Sequence, residues 1–152
     1  MSINIRTKGA TAERDIANQL NAILLPLLLK HGHSTEIPVI QRNQNQSAVG
    51  GCDLSNTFDL AIEVKRHENL SIPAWWKQCL DQANRNNHKP VLIFRQNNCK
   101  WRVIMNGCLL LPSLSGSGQA TIPMRVEITW DDFKIWFHHY ADRQLQLGEV
   151  KR

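Results

Sequence analysis

Two kinds of hydrophobic periodicity alternate along this chain of 152 residues, and the alternation restricts it to an α/β fold. Ile16, Leu20, Ile23, Leu24, Leu27 and Leu28 follow steps of four, three, one, three and one, which lays them on one face of a helix. Thr11 is the expected cap, and Glu13 lies in the first turn, where the helix dipole favours an anion. Pro26 is expected to kink or reset the last turn, and His31-Gly32-His33 ends the element. Glu36 to Arg42 reads as a strand in which Pro38 argues for an edge or a strand start, followed by a polar loop over 43–51. Cys52 to Ser55 and Leu60 to Arg66 read as strands that reverse around Asn56-Thr57-Phe58. Ser71-Ile72-Pro73 opens a helix that runs on to Arg85. Pro90 to Arg95, with Val91-Leu92-Ile93-Phe94 at its centre, is a run of buried-strand type, and Trp101 to Met105 returns as its partner. Residues 107–120, rich in glycine and serine, read as a loop. Met124 to Thr129 is a last strand, and Asp131 caps a final helix bearing Phe133, Trp136, Phe137 and Tyr140. The order predicts one α/β domain over residues 1–152, a central mixed β-sheet flanked by helices.

Length and composition agree with one soluble core: 42% hydrophobic and 20% charged residues exclude a disordered chain or a disulfide miniprotein. The longest apolar run, Ala22 to Leu29, is interrupted by Pro26 and is far short of the ~20 residues that span a bilayer. The first residues lack the basic-then-apolar order of a signal peptide, so the expected location is the cytoplasm, with no membrane partner. A formal charge of +5 favours polyanionic partners, nucleic acid among them. Cys52, Cys79, Cys99 and Cys108 form no CxxC pair, so reduced thiols are expected rather than a zinc site. Solvated side chains are the expectation for His31, His33, His138 and His139.

Glu63-Val64-Lys65 carries the chemistry. Strand geometry sends Glu63 and Lys65 to one face, about 6.6 Å apart, while Leu60, Ile62 and Val64 face a core on the other. Alone, the tripeptide reads as a surface ion pair. If the chain reverses near Phe58, however, Asp53 lies opposite Glu63, and facing carboxylates repel unless a cation sits between them. Oxygen ligands select a hard ion such as Mg²⁺. Asp59 lies about 13 Å along the strand from Glu63, too far to share an ion, and reads as a turn residue. A metal lowers the pKa of a bound water, and a lysine ammonium holds that water or stabilises charge growing on a phosphate. Carboxylates, a hard metal and a lysine in a basic protein point to phosphodiester hydrolysis.

Asp53, nine intervening residues and Glu63-Val64-Lys65 together resemble the signature of the PD-(D/E)xK nuclease superfamily, with Cys52 in place of its proline. Lys8-Gly9-Ala10-Thr11-Ala12-Glu13-Arg14-Asp15 resembles the KGxxAERE opening of archaeal-type Holliday junction resolvases. The resemblance covers about residues 6–106; the loop over 107–120 and the strand and helix over 121–152 lie outside it. It implies a restriction-endonuclease-like domain, with Glu13, Asp53 and Glu63 binding Mg²⁺ (or Mn²⁺ in its place) and Lys65 assisting the water. It also implies a homodimer acting on branched or junction DNA, with Arg6, Lys8 and Arg14 near the phosphate backbone. Arg66, Arg95 and Gln82 are further candidates for DNA contact, although solvated surface positions describe them as simply. Gln78 and Gln82 are one turn apart on the helix after the strand of Glu63, and the resemblance implies a glutamine there that orders the lysine or a phosphate, although a solvated helix face describes them as simply. One of Trp75 and Trp76 is expected in the core.

Three functions are compatible with these residues. The first is a Mg²⁺-dependent junction-resolving endonuclease of DNA recombination and repair. The second is another PD-(D/E)xK nuclease acting on flaps, single strands or duplex. The third is an inactive DNA-binding module on the same scaffold, against which the retained carboxylates argue, since a binding-only protein gains nothing from anions facing DNA.

Overall fold

The computed structural model describes residues 5–34, 39–44, 51–110 and 124–148. Its first element, α1 (Ile5–Lys30), buries Ile16, Leu20, Leu24, Leu27 and Leu28 along the predicted stripe. The helix begins six residues before Thr11, so Thr11 is not its cap; the hydroxyl instead donates to the Thr7 carbonyl one turn back, at 2.8 Å. Pro26 does not end the helix either. It sits on the exposed face with Ala22, whose carbonyl loses its helical donor where water can replace it.

Two short strands follow, β1 (Gln41–Arg42) and β2 (Leu54–Ser55), antiparallel to each other. Of the predicted strand over Glu36–Arg42, Gln41 and Arg42 are strand and Val39 and Ile40 are not, while positions 36–38 lie outside the described residues. The main sheet has the order β3-β4-β5-β6, built from β3 (Leu60–His67), β4 (Lys89–Gln96), β5 (Arg102–Asn106) and β6 (Arg125–Thr129). β3 and β4 run parallel, joined by α2 (Ile72–Asn86), and the other pairs are antiparallel, so the sheet is mixed as expected. Ser71 is the α2 N-cap by position, though its side chain makes no capping bond, and Asn87 closes the helix in the left-handed region at φ 53°.

Residues 107–109 form a 3-10 turn, and 111–120 of the predicted loop lie outside the described residues. The last helix, α3 (Trp130–Gln146), is capped by Thr129, whose hydroxyl accepts from the Asp132 N–H at 3.1 Å. Asp131, the predicted cap, is two residues further on and lies in the first turn, where it meets the helix dipole instead.

Strand alternation sorts the core into two layers. Leu60, Ile62, Val64, Val91, Ile93, Val103 and Met105 face α1 and α3, where Phe133 and Phe137 are fully buried. Leu92, Phe94 and Ile104 face α2 and meet Trp75 and Cys79. Each fully buried Leu, Ile or Phe contributes about 1.5–3 kcal/mol over an exposed one, which makes the α1 side the dominant layer. Trp75 is the core member of the tryptophan pair, and Trp76 packs half-buried beside it. His31 is not simply solvated: its Nε2 lies 2.7 Å from Asp142 Oδ1, beside Lys30, and ties the end of α1 to α3. No helix among the described residues is long and apolar enough to cross a membrane.

Candidate active site

β3 is the outer strand of the sheet, so one row of its backbone groups has no partner strand. Asp53 takes that row. Its N–H donates to the Ile62 carbonyl at 3.1 Å, and its side-chain Oδ2 accepts from the Val64 N–H at 2.7 Å. The aspartate therefore lies beside Glu63, as the centring on Phe58 predicts. A simple hairpin does not bring it there: β2 pairs with β1, and Asp53 reaches β3 through one backbone bond and its own carboxylate. Asn43 braces the approach, its N–H donating to the Asp53 carbonyl at 2.9 Å and its amide to the Cys52 carbonyl at 3.1 Å.

Glu63 projects to the α2 side and is completely buried. Lys65, two residues on and on the same face, places Nζ 3.7 Å from Glu63 Oε2. Gln78 of α2 reaches the same oxygen with its amide at 3.5 Å, whereas Gln82, one turn later, is half-buried and turns a buried, unpartnered Oε1. Of the two glutamines, Gln78 is the one at the acid.

The carboxyls of Asp53 and Glu63 lie within hydrogen-bonding reach of each other, so that a protonated Glu63 can donate to Asp53. Burial is the main reason that Glu63 is pushed up from the ordinary 4.5 to about 8, with the Asp53 charge adding to it and Lys65 opposing. Asp53 rises to about 6, again mainly through burial, against the Val64 N–H bond that favours its anion. Two acids are held where neither ionises easily, and Glu63 Oε1 is buried with no hydrogen-bond partner among the described residues. Such an atom carries the desolvation cost of an unmade hydrogen bond.

Glu13 is buried on α1, near enough to raise both acids, but its carboxylate pairs with Arg42 Nε. Among the described residues, no three His, Cys, Asp or Glu side chains gather closely enough to share one ion. The structure thus brings Asp53, Glu63 and Lys65 together and leaves Glu13 at the margin, tethered to β1. Arg42 carried no signal in the sequence, because nothing in a two-residue strand distinguishes an arginine that neutralises an acid from one that faces solvent. Asp59 is elsewhere, paired with Lys89 Nζ at 2.6 Å.

Asp53 and Glu63 fit a hard divalent ion: two oxygen donors suffice for Mg²⁺, which keeps several waters, and the orphaned oxygen would gain its missing partner. The positive surroundings are also in place. Lys8 on α1 and Lys65 both act on His67 at the end of β3, whose pKa is lowered by burial first and by these two charges after it. Arg66 and Arg95 end β3 and β4 side by side. Arg6 and Arg14 are exposed on α1.

Residues 4–134 match the model of a protein family described as "Phage putative PDDEXK endonuclease". The chain is also similar to the solved structure of Archaeoglobus fulgidus Hjc, described as a Holliday junction resolvase from an archaeal hyperthermophile. The two are 16% identical over 78% of this chain and 89% of that chain, with a TM-score of 0.32. No curated protein matches the sequence.

Proposed function

The chain belongs to the phage PDDEXK endonuclease family, a family of nucleases, and on that premise we propose that it is a Mg²⁺-dependent endonuclease selective for branched DNA, of Holliday junction resolvase type. One observation carries the reading: a buried, partnerless Glu63 oxygen stands beside Asp53 at the outer edge of β3, with the Lys65 ammonium 3.7 Å from the same carboxylate. Asp53 and Glu63 would hold the metal, with Mn²⁺ as a possible substitute, and Glu13 is the third carboxylate of the proposal. When bound, the ion supplies a water of lowered pKa and neutralises charge on the phosphate oxygens.

The protein's own groups do the rest. The Val64 N–H fixes the Asp53 carboxylate, and burial between β3 and α2 prevents Glu63 from turning to solvent. Lys65 presents a cation on the same face, placed to hold the attacking water or to stabilise the negative charge that grows on phosphorus-bound oxygen. Gln78 restrains Glu63 from the α2 side. Arg6, Lys8 and Arg14 on α1 and Gln82 on α2 are proposed to meet the DNA backbone, which favours recognition by shape and charge over reading of bases. A homodimer, presenting two such sites to related strands, is part of the same proposal.

The test is cutting of a synthetic four-way junction with Mg²⁺, against a linear duplex of the same sequence. Glu63→Ala and Asp53→Ala are expected to abolish cutting and to leave DNA binding intact or tighter, since each removes an anion facing the phosphates. Equal cutting of junction and duplex would replace the junction reading by a general nuclease. Absence of cutting with either Mg²⁺ or Mn²⁺ would refute the catalytic reading.

A further inference from the structure

Several cations have an acid to pair with: Arg42 has Glu13, Lys30 has Asp142, Lys89 has Asp59 and Arg102 has Glu127. Arg66 and Arg95 do not. They are Cα partners in the parallel register of β3 and β4, so their side chains leave the same face of adjacent strands, about 4.8 Å apart at the backbone. Neither enters an ion pair among the described residues, and the Nε of each is buried without a hydrogen-bond partner. Like charges placed directly opposite on neighbouring strands repel. Asp15 of α1 is close enough to act on Arg95, but its carboxylate accepts from Gln19 Nε2 at 3.2 Å. The Arg95 guanidinium is fixed over the Trp101 ring, 4.7 Å from its centroid, so its position is set by the fold and not by solvent.

Two forks of N–H donors, side by side, half-buried and short of an anion, make a site for a tetrahedral oxyanion. We infer that Arg66 and Arg95 jointly bind one backbone phosphate of the DNA, distinct from the phosphate cut beside Lys65. The separation follows from strand alternation. Lys65 and Arg66 are consecutive, so they leave opposite faces of β3, Lys65 toward α2 with Glu63 and Arg66 toward α1. A strand crossing the C-terminal ends of β3 and β4 would give one phosphate to the acid site and another to the arginine pair, which would fix its register over the metal. This assignment rests on the nuclease reading and adds a positioning site to it.

Anisotropy of a labelled four-way junction, measured in EDTA across a salt series, tests the site. Arg66→Gln and Arg95→Gln are each expected to weaken binding about tenfold, the value of one charged hydrogen-bond contact, and to lower the salt slope by less than one, because the remaining arginine still neutralises the phosphate. The double variant leaves that phosphate without a cation and should lower the slope by about one in total, because one phosphate is shared. Arg95→Lys should keep the slope and lose affinity, since an ammonium keeps the charge without the fork. Arg66 does not cover Trp101, so Arg66→Gln decides the question even if Arg95→Gln unfolds. Unchanged affinity in Arg66→Gln, or a double variant whose slope falls by about two, would overturn the shared site. Glu63→Gln keeps both arginines and should retain the wild-type slope while losing cutting. Cutting by Glu63→Gln would sink the nuclease site alone, and unaffected binding in Arg66→Gln would sink the arginine site alone.

Discussion

Glu63→Gln separates what the buried acid costs the fold from what it contributes to the site. In the wild type, the carboxyl is fully buried, hydrogen-bonded to Asp53, and raised from 4.5 to about 8. The folded state therefore holds a proton that the unfolded chain has released over that interval, and stability must fall as pH rises through it. The effect begins near the unfolded value of 4.5 and is complete above the folded value near 8. A displacement of between three and four pKa units corresponds to about 5 kcal/mol, of which about 4 kcal/mol falls between pH 5 and 9, a large part of the stability of a single domain. Glutamine has nearly the same shape, and its amide can donate to Asp53 as the protonated acid does, but it never ionises. The two proteins should therefore match near pH 5, and the variant should be the more stable by about 4 kcal/mol near pH 9. With a urea slope of about 2 kcal/mol/M, the wild-type midpoint should fall by about 2 M more across the range than that of the variant, which keeps only the smaller fall due to Asp53. The assay is urea unfolding in EDTA from pH 5 to 9, followed by circular dichroism. Parallel pH dependences for the two proteins would refute the reasoning, because they would mean that Glu63 ionises in the fold as easily as in the unfolded chain.

Three further outcomes follow from the same geometry. Binding of Mg²⁺ should displace the proton shared by Asp53 and Glu63, so calorimetric titrations in buffers of different ionisation heat should show uptake of up to one proton by buffer near pH 7 and tighter binding at higher pH. Arg42→Ala removes the guanidinium that pairs with the buried Glu13 carboxylate and should cost about 1–3 kcal/mol in urea unfolding, with part of the loss recovered on adding Mg²⁺. Thr129→Ala removes the hydroxyl that caps α3 and should cost about 1 kcal/mol, read as a lower thermal midpoint with cutting unchanged at assay temperature.

The elements whose signal lies in spacing were legible in the sequence. The stripe from Ile16 to Leu28, the apolar run of β4 and the alternation of β3 each repeat a period that only one regular structure satisfies. The boundaries were not. Thr11 and Asp131 are residues that cap helices well, yet helix starts are decided by where the chain enters from its neighbours, and α1 reaches back to Ile5 while Thr129 takes the cap of α3. The hairpin reasoning put Asp53 in the right place for an incomplete reason, since a two-residue β2 bound to β1 cannot be told from a longer strand bound to β3 by composition alone.

A period of two obliges Glu63 and Lys65 to share a face and sends Arg66 to the other; that much is local geometry, and the chain carries it wherever it folds. Whether the shared face is wet or dry is not local. The closing of α2 over β3 buries Glu63, the unpaired edge of β3 captures Asp53 through the Val64 N–H, and Arg42 arrives from β1 to hold Glu13. Those contacts join residues 11 to 29 positions apart, and together with the nearby Lys65 they set how readily Asp53 and Glu63 ionise, because the cost of a charge depends on the medium and the charges around it.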